Sequence, residues 1–227
     1  MADPLRMQDV QRTYRSEAGD LPVLRGVDLT LAAGEIVALV APSGAGKSTL
    51  LHIAGLLDKP DGGAILLAGR DAGALSDAAR TAIRRDTIGF VYQMHHLLAE
   101  FTALENVTLP LEILGWNLTE AVIRSKELLR EIGMEDRGNH FPRQLSGGEQ
   151  QRIAIARAYV HNPEIVFADE PTGSLDRETA EKVLENLLRF QAGKNAALVL
   201  VTHDLTVASR MGRALSLERG HIVHERR

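Results

Sequence analysis

The segment IVALVAPSGAGKSTLLHIAGLL, residues 36–57, constrains the architecture more than any other part of the chain. Five apolar residues of strand length run into a glycine-rich loop, and the loop runs into an amphipathic helix. In that setting the backbone N–H groups from Gly44 to Ser48 can converge at the positive end of the helix, a grip for phosphate oxygens. Lys47 would reach the terminal phosphates, and the Ser48 hydroxyl would be offered to Mg²⁺. The candidate nucleotide-binding set is therefore Ser43, Gly44, Ala45, Gly46, Lys47, Ser48 and Thr49. The pattern G-x-x-x-x-G-K-[ST] wants glycine where this chain has Ala41. Glycine would matter there only if the backbone needed a positive φ, and Pro42 restricts its predecessor to extended conformations that alanine adopts freely. The loop is expected to close normally.

Such a unit needs further strands. TIGFVY (87–92), EIVFA (164–168) and AALVLV (196–201) are continuous apolar runs, as expected of parallel strands buried on both faces. Between them DRETAEKVLENLLRF carries Ala180, Val183, Leu184, Leu187 and Leu188 on one helical stripe that stops near Gly193. VLRGVDLTL and AILLAGRD alternate instead, like antiparallel strands with one wet face. Residues 94–160 read as mostly helical, including TEAVIRSKELLREIG with Thr119 as N-cap and Gly133 as C-terminal stop. The fold class is α/β, a layered core with a β-rich flank and an inserted helical lobe. At 227 residues, 44% hydrophobic, the chain suits one such unit with subdomains. A net charge of −4, from 26 basic and 30 acidic residues that are interspersed, announces no nucleic-acid surface. There is no cysteine, hence no disulfide framework. No N-terminal run resembles a signal peptide and no eighteen apolar residues are consecutive, so the chain is not expected to cross a membrane by itself.

The strand ends carry chemistry. EIVFA leads into Asp169 and Glu170: Asp169 is placed to hold Mg²⁺ or its waters, and Glu170 to face an attacking water as general base. AALVLV leads to His203, which could polarise that water, and TIGFVY to Gln93, whose side-chain carbonyl can ligate Mg²⁺ or orient water. The carboxyl edge of an open α/β sheet is where such groups are expected to gather. LSGGEQQRIAIARA sets Ser146, Gly147 and Gly148 ahead of a helix, a second anion-binding N-terminus in the same chain.

GAGKST, Gln93, LSGGEQ, VFADEPTGSLD and VTHD, in that order, resemble the ATP-binding subunits of ABC transporters over nearly the whole chain. The resemblance implies a P-loop NTPase (ABC ATPase) core with an antiparallel β subdomain and a helical subdomain. Its boundaries would be 1–93 and 161–227 for the core and 94–160 for the helices, within one domain of 1–227. It implies ATP and Mg²⁺ as cofactors, and a head-to-tail dimer in which Ser146, Gly147 and Gly148 of one copy meet the phosphate loop of the other. Tyr14 would stack on adenine, Asp176 would belong to the loop linking the two sites, and the helical lobe would grip a membrane partner. QMHHLLAEFTALENVTLPL, 93–111, looks like the corresponding stretch of lipoprotein-releasing exporters, apart from Met94 where an aromatic is expected. That likeness implies a peripheral ATPase on the cytoplasmic face of the bacterial inner membrane, docked to a permease pair of the LolC/LolE type. MacB-like or FtsE-like complexes are the alternative. His95 and His96 are read as packing or docking residues, and Trp116 as part of the lobe's core.

Overall fold

The computed structural model describes residues 3–16, 19–42 and 44–224. In chain order the elements are β1 Leu5–Ser16, β2 Gly19–Leu31, β3 Ile36–Val40, α1 Lys47–Ala54, β4 Gly62–Leu67, β5 Arg70–Asp71 and α2 Asp77–Thr87. They continue with β6 Ile88–Tyr92, α3 Ala103–Ile113, α4 Leu118–Glu131, α5 Gly147–Tyr159, β7 Ile165–Asp169 and α6 Arg177–Gln191. The last are β8 Ala197–Thr202, α7 Leu205–Ala208, β9 Arg213–Glu218 and β10 His221–His224. Two compact units result, Met1–Arg84 with Ala197–Arg227, and Arg85–Ala196.

The first unit holds two β layers. One is antiparallel, in the order β2-β1-β4-β5. Its inward side chains include Leu5, Met7 and Val10 of β1 and Val27, Leu29 and Leu31 of β2, all buried, while the residues between them mostly face water. In the other, β3 lies between β8 and β9, parallel to both, and β10 closes antiparallel on β9. Every residue of β8 is buried, which is why its sequence is apolar without alternation.

In the second unit β6 and β7 pair in parallel, with Phe90 stacked 5.7 Å from Phe167. Helices α3, α4 and α5 belong to the same unit. Thr102 caps α3 through a reciprocal box with Glu105, and Ser146 caps α5 the same way with Glu149. The cap of α4 is Asn117, not Thr119: the Asn117 side chain accepts from the Thr119 N–H, and the helix begins at Leu118. Both residues are good caps by type, and the helix starts two residues earlier than expected. Gly133 follows the helix with φ 68°, the left-handed stop that glycine permits. Trp116, expected in the lobe's core, is 42% exposed at the α3–α4 turn, near the exposed Ile113 and Leu118.

Candidate functional site

Register decides what leaves each sheet together. In the first unit Val40 is opposite Thr202, so Ala41 and His203 emerge side by side at the carboxyl ends of β3 and β8. Ala41 is buried and is not among the described residues with positive φ, as the proline after it requires. Glycine is needed further along. Gly46 has φ 100°, and a Cβ there would stand 2.6 Å from Val23 Cγ1, so both backbone and space exclude a side chain. Gly46 is also the N-cap of α1, which has no side-chain cap at that end. Lys47 is buried, and its Nζ donates to the Ala41 carbonyl at 2.7 Å, bracing the loop from end to end. Ser48 is exposed and Thr49 half-buried, and the Tyr14 hydroxyl lies 3.4 Å from Thr49 Oγ1. The Arg12 guanidinium lies 4.9 Å from the Tyr14 ring centroid, held by Asp58 at 2.8 Å and Asp61 at 3.0 Å. One ring face is thus covered, and the 38% exposure of Tyr14 leaves surface for a flat ligand. Ser43 lies outside the described residues. His203 is exposed, and the next residue, Asp204, caps α7 by accepting from the Thr206 N–H at 2.8 Å.

The second unit repeats the device. Tyr92 is opposite Asp169, so Gln93 and Glu170 leave β6 and β7 as neighbours. A Cβ added to Gly173 would lie 2.9 Å from Gln93 Nε2 and 3.3 Å from Glu170 Oε2; the two side chains flank one point that only glycine leaves open. Ser174 Oγ donates to the Gln93 carbonyl at 3.1 Å, and the Gly173 N–H to the Glu170 carbonyl at 3.0 Å. Glu170 has φ 45°, a left-handed conformation that side chains other than glycine adopt at a cost. Asp169 and Glu170 are both half-buried.

Elsewhere in this unit Ser146 is exposed at the start of α5. Its backbone N–H and hydroxyl donate to Glu149 at 2.8 and 2.9 Å, and Arg137 adds a contact at 3.0 Å. The Ser146 N–H first, then Arg137 and the hydroxyl, hold the Glu149 carboxyl down at about 2. Gly147 and Gly148 pack toward the start of α6 and the residues before it: a Cβ on Gly148 would lie 2.4 Å from Thr179 Cγ2, and one on Gly147 would lie 3.2 Å from Leu175 Cδ2. Asp176 caps α6 by accepting from the Thr179 N–H at 3.0 Å, and hydrogen bonds from the Thr179 side chain first, then from its N–H, lower the Asp176 pKa. Thr179, Gly173, Gln151 and Arg157 carry no signal in the sequence by themselves, although the last two lie within the LSGGEQQRIAIARA stretch.

A family profile for ABC transporters matches residues 24–173. The lipoprotein-releasing system ATP-binding protein LolD 2 of Caulobacter vibrioides is 52% identical over 227 residues, covering all of both chains. LolD of Granulibacter bethesdensis is 54% identical over 219 residues, 96% of each chain. Among solved structures, the dimeric post-hydrolysis state of the ATP-binding cassette MJ0796 bound to ADP and Pi matches with a TM-score of 0.88 at 40% identity, covering 98% of each chain. A phosphate loop with its bracing lysine, paired strand ends bearing glutamine, aspartate, glutamate and histidine, and the LSGGEQ helix cap agree with these likenesses: the chain belongs to the ABC transporter ATPase family.

Proposed function

We propose that the chain is the ATP-hydrolysing subunit of a bacterial inner-membrane complex that releases lipoproteins for delivery to the outer membrane. The observation that carries this reading is the 52% identity over the full length of both chains with a LolD protein. Gly44 to Thr49 grip the phosphates, Lys47 leaves the Ala41 carbonyl for the terminal phosphates, and Tyr14 presents its open face to adenine. Glu170 takes the proton of the attacking water, with His203 and Gln93 orienting it. Ser48, Gln93 and Asp169 supply oxygen donors, which suit Mg²⁺. Mg²⁺ keeps several of its waters, so phosphate oxygens and water would complete its coordination. Bound Mg²⁺ would neutralise charge on the phosphates.

Two copies are expected to join head to tail, Ser146, Gly147, Gly148 and Asp176 of one completing the site of the other; the dimeric state of the related cassette supports this. No helix among the described residues is long and apolar enough to cross a membrane. A peripheral place on the cytoplasmic face, docked to integral permease subunits of the LolC/LolE type, follows from the proposal, and the exposed Met94, Leu98 and Phe101 behind Gln93 offer an apolar grip. The test is to capture the Glu170→Gln chain with ATP from solubilised native membranes and identify its companions by mass spectrometry. Recovery of such a permease pair with bound lipoproteins is expected. Recovery of a MacB-like or FtsE-like permease would keep the ATPase chemistry and replace the cargo.

A further inference from the structure

The segment carrying Gln93 is fastened to α5 from below by side chains that no part of the proposed chemistry uses. Gln151, fully buried, donates through Nε2 to the Tyr92 carbonyl at 3.2 Å. Its amide nitrogen being spent there, its Oε1 faces His95 Nδ1 as an acceptor. The proton of that bond therefore sits on His95 Nδ1. Two turns on, Arg157 spreads its fork over consecutive carbonyls, NH1 to His96 at 2.6 Å and NH2 to His95 at 2.8 Å. Burial lowers the pKa of this guanidinium, so those carbonyls are the polar contacts that compensate a largely desolvated charge. His96 itself is left-handed, φ 49°, with its ring 5.0 Å from that of Tyr92. A backbone held in such a conformation needs surroundings that over-determine it.

We propose that Gln151, Arg157 and His95 form a clamp of positioning residues, which makes the glutamine segment and the helix capped by Ser146 move as one body. Gln93 and Ser146 both belong to the hydrolytic set, one meeting the nucleotide of its own copy and the other the nucleotide of the partner copy. Seating Ser146 on a nucleotide then carries Gln93 with it, and the site on each copy senses closure of the other. The proposal rests on the reading that Gln93 serves hydrolysis.

The purified full chain tests it as wild type, Gln151→Leu, His95→Ala, the double variant and Gln93→Ala. Steady-state ATP hydrolysis is measured alongside amide hydrogen exchange of residues 93–98. The clamp predicts faster exchange in that segment for each single variant. It also predicts turnover lowered about tenfold with KM for ATP within about twofold, and a double variant no worse than the worse single, because the bond that His95→Ala removes is already lost in Gln151→Leu. Effects that multiply in the double variant would overturn it, as would unchanged exchange. Faster exchange with wild-type turnover would overturn the positioning role; if Gln93→Ala then also turns over normally, the fault lies in the reading of Gln93 and not in the clamp. His95, half-buried, keeps the test open should Gln151→Leu fail to fold.

Discussion

Gly148→Ala isolates the contact between the start of α5, which Ser146 caps, and the start of α6, which Asp176 caps. In helix α5 alanine is favoured over glycine by about 1 kcal/mol. Against that, the new Cβ would stand 2.4 Å from Thr179 Cγ2, where unstrained carbons keep about 3.5–4.0 Å, so the ends of α5 and α6 must part by roughly 1 Å or more. Overfilling a close-packed contact costs about 1–3 kcal/mol, which outweighs the helix gain by roughly 1 kcal/mol. For a chain of this length that lowers Tm by about 2–4 °C. Activity should suffer more. The displacement carries Ser146 and the Asp176 cap with it, and a shift of about 1 Å at a reacting centre can cost on the order of a hundredfold. Differential scanning fluorimetry reads the first effect and steady-state phosphate release the second. Thr179→Ser deletes Cγ2 and keeps the hydroxyl; the next neighbour, Val183 Cγ2 at 3.8 Å, is an ordinary contact, so the double variant should recover both quantities. A single variant that melts and turns over like wild type, or a double variant that recovers neither, would refute the steric argument.

Glu170→Gln should abolish turnover while retaining ATP and holding the two copies together, read by gel filtration with radiolabelled nucleotide; near-normal turnover would remove Glu170 from the base role. Ala41→Gly should change ATP affinity by less than about threefold in a fluorescent-nucleotide titration, since alanine here is outside the left-handed region and unstrained; a tenfold gain would show that the methyl group distorts the loop. The Glu149 carboxyl, held at about 2 against an unfolded value of 4.5, contributes stability above pH 4.5 that is lost as pH falls toward 2. Wild type minus Glu149→Gln stability, from urea unfolding at a series of pH values, should therefore be constant above about pH 5 and shrink below it.

The parallel strands were legible because burial on both faces writes a continuous apolar run: IVALV is β3 to the residue, and β6, β7 and β8 begin one position after the runs that announced them. β1 was not legible. Its register shifts between Met7 and Val10, where Asp9 turns left-handed at φ 47°, and the shift breaks the alternation that would have marked the strand. α2 was missed for another reason: it buries only Arg80 and Ile83, too little for an apolar stripe. At the site, the residue types and their strand-end positions could be read, but pairings could not. That Gln93 neighbours Glu170 is a consequence of strand register over some 77 positions of chain, and that Gln151 reaches the Tyr92 carbonyl depends on where a helix is docked. Trp116 misled because size suggests burial, whereas a turn between two helices leaves it at the surface.

Glu170 occupies a backbone conformation that suits glycine or asparagine better, and it is held there by the bond from the Gly173 N–H to its carbonyl. Selection for heat resistance alone should therefore erode this position. Glu170→Gly or Glu170→Asn relieves the turn and is expected to raise the melting temperature while silencing the enzyme, so that a stabilised library screened without a phosphate-release assay would accumulate inert cassettes.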